Sequence, residues 1–106
     1  MKTALLLAGM IGLWTSGALA ADPAEGRKVA ARCQACHGID GIAKLPIAPN
    51  LAGESAGYLE TQLKAFKDGK RENAMMTVVV KDLTAEQIAD VAAWYESIEV
   101  TVKLPE

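Results

Sequence analysis

The chain is poor in the residues that build most small reactive sites. It has one histidine, His37, two cysteines, Cys33 and Cys36, and five aromatic residues in 106. Two cysteines allow at most one disulfide, and with a single histidine they fall short of the four N/S ligands of a structural zinc site. Basic excess is also missing. The formal net charge is -2, which leaves no electrostatic footprint for nucleic acid. No apolar run approaches the about 20 residues of a membrane span. The longest, Ala4 to Trp14, covers 11 residues behind Lys2 and ahead of Ala18-Leu19-Ala20. That order of a positive start, a short apolar stretch and a small-x-small site reads as a secretory leader cleaved after Ala20; the alternative is an uncleaved anchor.

Without the leader 86 residues remain, with 10 basic and 13 acidic side chains and the aromatics Tyr58, Phe66, Trp94 and Tyr95. So small a chain buries a modest core and generally needs a staple. The expected domain organisation is a leader over 1–20 and one domain over 21–106. Three helices are expected. Asp22 caps the first, about Pro23 to Cys33, with Pro23 in its opening turn. The second, about Ala56 to Asp68, places Leu59, Leu63 and Phe66 at helical spacing and stops at Gly69. The third, about Ala85 to Ile98, opens on a Thr84/Gln87 capping-box pattern and carries the stripe Ile88, Val91, Ala92 and Tyr95. Gly38 to Gly53, rich in glycine and proline, reads as a long irregular loop, and Asn73 to Asp82 as an extended one. The fold class is all-α, with two loops that need something to wrap around.

Cys33-Gln34-Ala35-Cys36-His37 is the C-x-x-C-H signal for covalent attachment of a c-type haem. Two thiols one helical turn apart lie on one side of the backbone, where they can add to the two haem vinyl groups. The adjacent imidazole then faces the iron. A thioredoxin-like dithiol needs a βαβ context that is absent, and a Cys33–Cys36 disulfide would close too small a loop to stabilise much. For the opposite axial position no second histidine exists. Once the leader is removed the remaining soft donors are Met75 and Met76, and their adjacency leaves both open at this level. A His/Met iron has a raised potential, which suits an electron carrier.

With these pieces the chain resembles the class I cytochromes c, most closely the small bacterial periplasmic monohaem type and single domains of two-haem periplasmic cytochromes. The resemblance rests on Cys33 to Gly38, Ala48-Pro49-Asn50-Leu51-Ala52-Gly53, Gly57-Tyr58-Leu59, Gly69-Lys70-Arg71, and a methionine ahead of Leu83-Thr84. It implies that Met76, seven residues before Leu83, is the axial ligand and Met75 the fallback. It implies that the Pro49 carbonyl accepts a hydrogen bond from His37, and that Gly26 lets the last helix cross closely against Val91 and Trp94. Leu51, Tyr58, Leu59, Leu63, Val78 and Val80 become candidates for the haem wall, and Arg71 and Asn73 for the propionates.

The function these readings imply is a periplasmic one-electron carrier, cycling Fe(III)/Fe(II), with redox proteins as partners. It would be no enzyme, since both axial positions are filled, and a monomer without stable membrane insertion. The alternatives are a haem subunit of a periplasmic dehydrogenase and a haem-based gas sensor. Between Lys44 and Lys81 stand six basic residues against four acidic ones; from Asp82 onward Lys103 faces six acidic residues. Such asymmetry can steer a docking partner.

Overall fold

The computed structural model describes residues 9, 11–13 and 20–106. Except for its last residue, Ala20, and the scattered positions 9 and 11–13, the leader lies outside the described residues. Five α-helices and one 3₁₀ turn follow in order: α1 Pro23–Val29, the 3₁₀ turn Ala30–Arg32, α2 Gln34–His37, α3 Ala56–Lys67, α4 Ala74–Val80 and α5 Ala85–Glu96. The described residues contain no strand. None of their helices is long and apolar enough to cross a membrane.

The caps explain where the helices begin. The Asp22 side chain accepts from the backbone N–H groups of Ala24 and Glu25, and Pro23 occupies the first turn, where a missing N–H costs nothing. Ser55 caps α3. In α5 the capping box is complete: Thr84 Oγ1 accepts from Gln87 N at 3.1 Å and Gln87 Oε1 accepts from Thr84 N at 3.0 Å. The end of α5 falls two residues short of the expected Ile98, where the Ser97 hydroxyl donates to the Trp94 carbonyl at 2.6 Å.

Two expectations are corrected. The first helix does not run unbroken to Cys33. It tightens at Ala30–Arg32, where Cys33 N donates three residues back to the Ala30 carbonyl at 2.9 Å, and resumes as α2. Ala30 is completely buried, so the tightening occurs against the core. The second correction is Asn73 to Asp82, which is not an extended loop but contains α4. Asn73 Oδ1 accepts from Met75 N and Met76 N at 3.0 Å each, giving the helix a start. Burial of Val80 among Phe66, Leu83 and Ile88 then outweighs the β preference of three consecutive valines.

The core has two adjoining parts. Ala30, Leu59, Val91, Ala92 and Tyr95 form one, and Phe66, Val80, Leu83 and Ile88 the other; Val29 and Leu63 pack against both. Each fully buried aliphatic contributes roughly 1.5–3 kcal/mol. Helix α1 crosses α5 at Gly26, which is buried. A Cβ there would collide with the Asp90 carbonyl and stand 3.0 Å from Trp94 Cβ, so only glycine permits the crossing. Lys67 adds a tether by donating its ammonium to the Leu83 carbonyl, which joins the end of α3 to the turn before α5.

Candidate haem site

The break before α2 sets the direction of the reactive side chains. Cys33 caps α2, while Cys36 and His37 complete its single turn. Both cysteines are free thiols and half-buried. Burial, chiefly, pushes the Cys33 thiol up to about 11; Tyr95, whose hydroxyl lies beside it, is pushed up as well, again mainly by burial. Before haem is attached, Cys33 is therefore a protonated thiol at neutral pH. Gly38 ends the helix at φ 76°, a left-handed backbone in which a side chain would be strained, and a Cβ would stand 2.5 Å from the Ile42 carbonyl.

His37 is 8% exposed. Its Nδ1 lies 2.9 Å from the Pro49 carbonyl oxygen. A carbonyl can only accept, so the proton sits on Nδ1 and Nε2 keeps its lone pair for a metal. The same bond orients the ring and strengthens it as a ligand. Pro49 is itself held by the surrounding loop. Lys44 N donates to the Cys36 carbonyl at 2.8 Å, Ala43 N to Asn50 Oδ1 at 2.8 Å, and Leu51 N to the Gly41 carbonyl at 2.8 Å. Asp40, fully exposed, has its carboxyl held below the usual range, first by the Ile42 N–H and then by Lys44.

Helix α5 supports this loop from behind, which the residue pattern did not indicate. Tyr95 donates its hydroxyl to the Gly38 carbonyl at 3.0 Å, and Trp94 donates its indole N–H to the Ile39 carbonyl at 3.0 Å. In the sequence Tyr95 reads only as a member of an apolar stripe and Trp94 only as a neighbour of Gly26; their polar ends find partners 57 and 55 residues away. Three exposed aliphatics of the loop, Ile42, Leu45 and Ile47, were also not singled out. The signal for them was an apolar side chain recurring in a glycine- and proline-rich segment.

The other candidates separate. Leu59 is buried, and Leu51 and Leu63 pack partly buried against the first core. Val80 is wholly enclosed in the second core, whereas Tyr58 and Val78 stand exposed. Met75 is 49% exposed, while Met76 is half-buried against Phe66, Val80, Leu83 and Ile88. Arg71 is engaged elsewhere, donating to Gln62 Oε1 at 2.8 Å and stacking 4.6 Å over the Phe66 ring. Asn73 is occupied as the cap of α4. The donor set fits a covalent haem: two free thiols one turn apart, beside an imidazole with one nitrogen committed and the other available.

A family model described as Cytochrome c matches residues 23–99. The chain belongs to the cytochrome c family. It is 48% identical over 83 residues to cytochrome c-554(548) of Halomonas halodenitrificans, a match covering 76% of this chain and 100% of that protein. It is 35% identical over 101 residues to the cytochrome subunit of sulfide dehydrogenase of Chlorobaculum tepidum, covering 89% and 90%. Among solved structures, reduced recombinant cytochrome c4 from Pseudomonas stutzeri superposes with a TM-score of 0.72 at 34% identity; 78% of this chain matches 48% of that one. This cytochrome thus spans about half the length of a cytochrome c4. It is an all-α electron-transfer protein that carries a covalently bound haem c, with redox proteins as its partners.

Proposed function

We propose that this cytochrome is a monomeric electron carrier of the periplasm, exported by the leader over 1–20 and cleaved after Ala20, with Cys33 and Cys36 holding the haem. Its iron would lie between His37 Nε2 and the thioether of Met76. The haem supplies a one-electron Fe(III)/Fe(II) couple. The chain's own residues would hold His37 in place for the iron: Pro49 keeps the His37 proton on Nδ1, and the loop bonds hold Pro49. The observation that carries the reading is the 2.9 Å His37–Pro49 contact beside two free thiols. Leu51, Leu59 and Leu63 are assigned to the wall, with Tyr58 at its exposed edge.

With His37 and Met76 both holding the iron no substrate would reach it, so the protein is assigned no catalytic residue of its own. The likeness to a sulfide dehydrogenase cytochrome subunit supports a second reading, that of a haem subunit passing electrons from a catalytic chain. Chromatography of the exported holoprotein separates the two. A free carrier elutes as a lone monomer; co-elution with a flavin- or metal-containing chain would favour the subunit. Mass spectrometry should show a chain beginning at Ala21 plus one haem. A disulfide-bonded chain without haem would overturn the assignment of Cys33 and Cys36.

A further inference from the structure

Away from the haem site, the start of α1 meets α5 around a shallow cavity of about 560 Å³ lined by Ala20, Ala21, Asp22, Glu25, Glu86 and Asp90. Asp90 is unusual here: it is only 7% exposed, and it is the one buried carboxylate among the described residues. Its Oδ1 accepts from Asp22 N at 2.8 Å. Among the described residues none donates to Oδ2 and no cation pairs with Asp90. No buried side-chain oxygen among the described residues lacks a partner, so Oδ2 opens to the cleft, where it can take a further donor.

The backbone places one nearby. Ala21 N and Asp22 N are joined by three bonds totalling about 4.3 Å, so the Asp90–Asp22 hydrogen bond holds Ala21 N beside the carboxylate. While the leader is attached Ala21 N is a neutral amide. Hydrolysis of the Ala20–Ala21 bond consumes one water: the new carboxylate leaves with Ala20, and the new amine of Ala21 takes up a proton. We propose that the cleft between the start of α1 and α5 is the binding site for the processed amino terminus, in which the Ala21 ammonium pairs with Asp90 and clasps α1 to α5 once the leader is removed. The inference rests on the cleavage reading above.

The surrounding charges favour it. Asp22 and Glu25 from the start of α1 and Glu86 from α5 add negative charge. Lys28 is held by Glu25 at 2.6 Å, and Arg32 lines the adjoining cleft with Lys28, Glu86 and Asp90. The positive end of α1 opposes an ammonium, but the Asp22 carboxylate already caps that end by accepting from Ala24 and Glu25. An ammonium stabilised in the folded state has its pKa raised above that of the unfolded chain. Its contribution is full below the unfolded pKa, about 7.7–8.0, and is lost as pH rises through the folded one.

The test uses purified holoprotein whose mass first establishes the start. A start other than Ala21 would overturn the cleavage reading and this inference together. With the start at Ala21, limiting acetic anhydride is added at pH 8 beside a reference peptide, Ala-Asp-Pro, and acylation of the Ala21 amine is followed by mass spectrometry. Wild-type protein should react about tenfold more slowly than Asp90→Asn, whose amide oxygen still accepts from Asp22 N. At pH 10 the wild-type amine should recover toward the peptide rate, which a merely shielded amine would not do. Equal rates for the two proteins at pH 8 would overturn the clasp and leave the cleavage reading standing. Should Asp90→Asn not fold, the wild-type ratio of pH 8 to pH 10 rates decides alone: a ratio equal to the peptide's overturns the clasp.

Discussion

The two segments that carry the proposed iron ligands are built differently. Around His37 the polypeptide holds itself: Pro49, Gly38, Ile39, Cys36 and Gly41 all accept hydrogen bonds from named partners, and His37 is buried. Around Met76 the chain offers one short helix with one capping side chain and one buried residue, Val80, while Met75 and Val78 face outward. The histidine side is therefore organised by protein–protein contacts before any iron is bound. On the methionine side the thioether–iron bond is expected to supply much of the order. The weaker of the two proposed ligands stands on the less braced segment, so ligand loss should begin there.

The largest effect should come from breaking what both sides share. Helix α1 leads into the cysteines and α5 braces the loop behind them, and the two meet at Gly26. In Gly26→Val the side chain would drive against the Asp90 backbone, which cannot turn aside as a flexible side chain could. Overpacking at such a site costs about 3 kcal/mol. Guanidinium unfolding of the ferric protein, followed by haem absorbance, should register a lowered midpoint. An unchanged midpoint would mean the helices can separate without consequence.

Next in size is Met76→Ala. Removal of the proposed soft ligand should abolish the methionine–iron absorption band, lower the potential and let exogenous ligands reach the iron. The stability loss should be about 2 kcal/mol, the low end for methionine truncation, because the side chain is only half-buried. Met75→Ala, at a 49% exposed position, should keep the band. The reverse pattern would move the ligand to Met75. Loss of the band in neither variant would reject both, and with them the high-potential carrier.

Much of this architecture was legible because local chemistry specified it. Thr84 and Gln87 are a capping box in the sequence and in the fold, and Cys33, Cys36 and His37 read as a haem motif from spacing alone. Pro49 and Gly26 needed the family resemblance, since a carbonyl acceptor and a helix crossing leave no periodic trace. Helix α4 is not legible in the sequence because three valines favour an extended chain and nothing local shows that Val80 is enclosed, although Asn73 ahead of it is an available start signal. Tyr95 and Trp94 could not be assigned to the loop at all. Their partners are backbone carbonyls, identical in every residue, selected only by how α5 lies across the molecule.

That start signal yields the third test. Asn73→Ala removes the acceptor for Met75 N and Met76 N, and such caps are worth about 1 kcal/mol. Because α4 is short, the loss should appear locally. Met76 should be displaced from iron at lower denaturant or lower alkaline pH while the His37 side remains intact. Simultaneous loss of both sides would show that the two segments are more strongly coupled than their contacts suggest.

The smallest effect belongs to the histidine side, at Asp40. Its carboxylate accepts from Ile42 N at 3.0 Å and from Lys44 Nζ at 3.3 Å, and these interactions hold it below its ordinary pKa. A group depressed on folding contributes above its unfolded pKa and loses that contribution as pH falls through the folded one. Stability should thus decline slightly as pH drops below about 4. Asp40→Asn keeps an oxygen for Ile42 N but cannot titrate, so it should flatten that part of the curve and change little at pH 7. The effect should be smaller than that of Asn73→Ala, because Asp40 is fully exposed and its ion pair is screened. Thermal midpoints of the two proteins between pH 2 and pH 6 would measure it. A larger loss at pH 7 than Asn73→Ala produces would mean that the loop beneath His37 depends on this one surface carboxylate and not on the network of backbone bonds around Pro49.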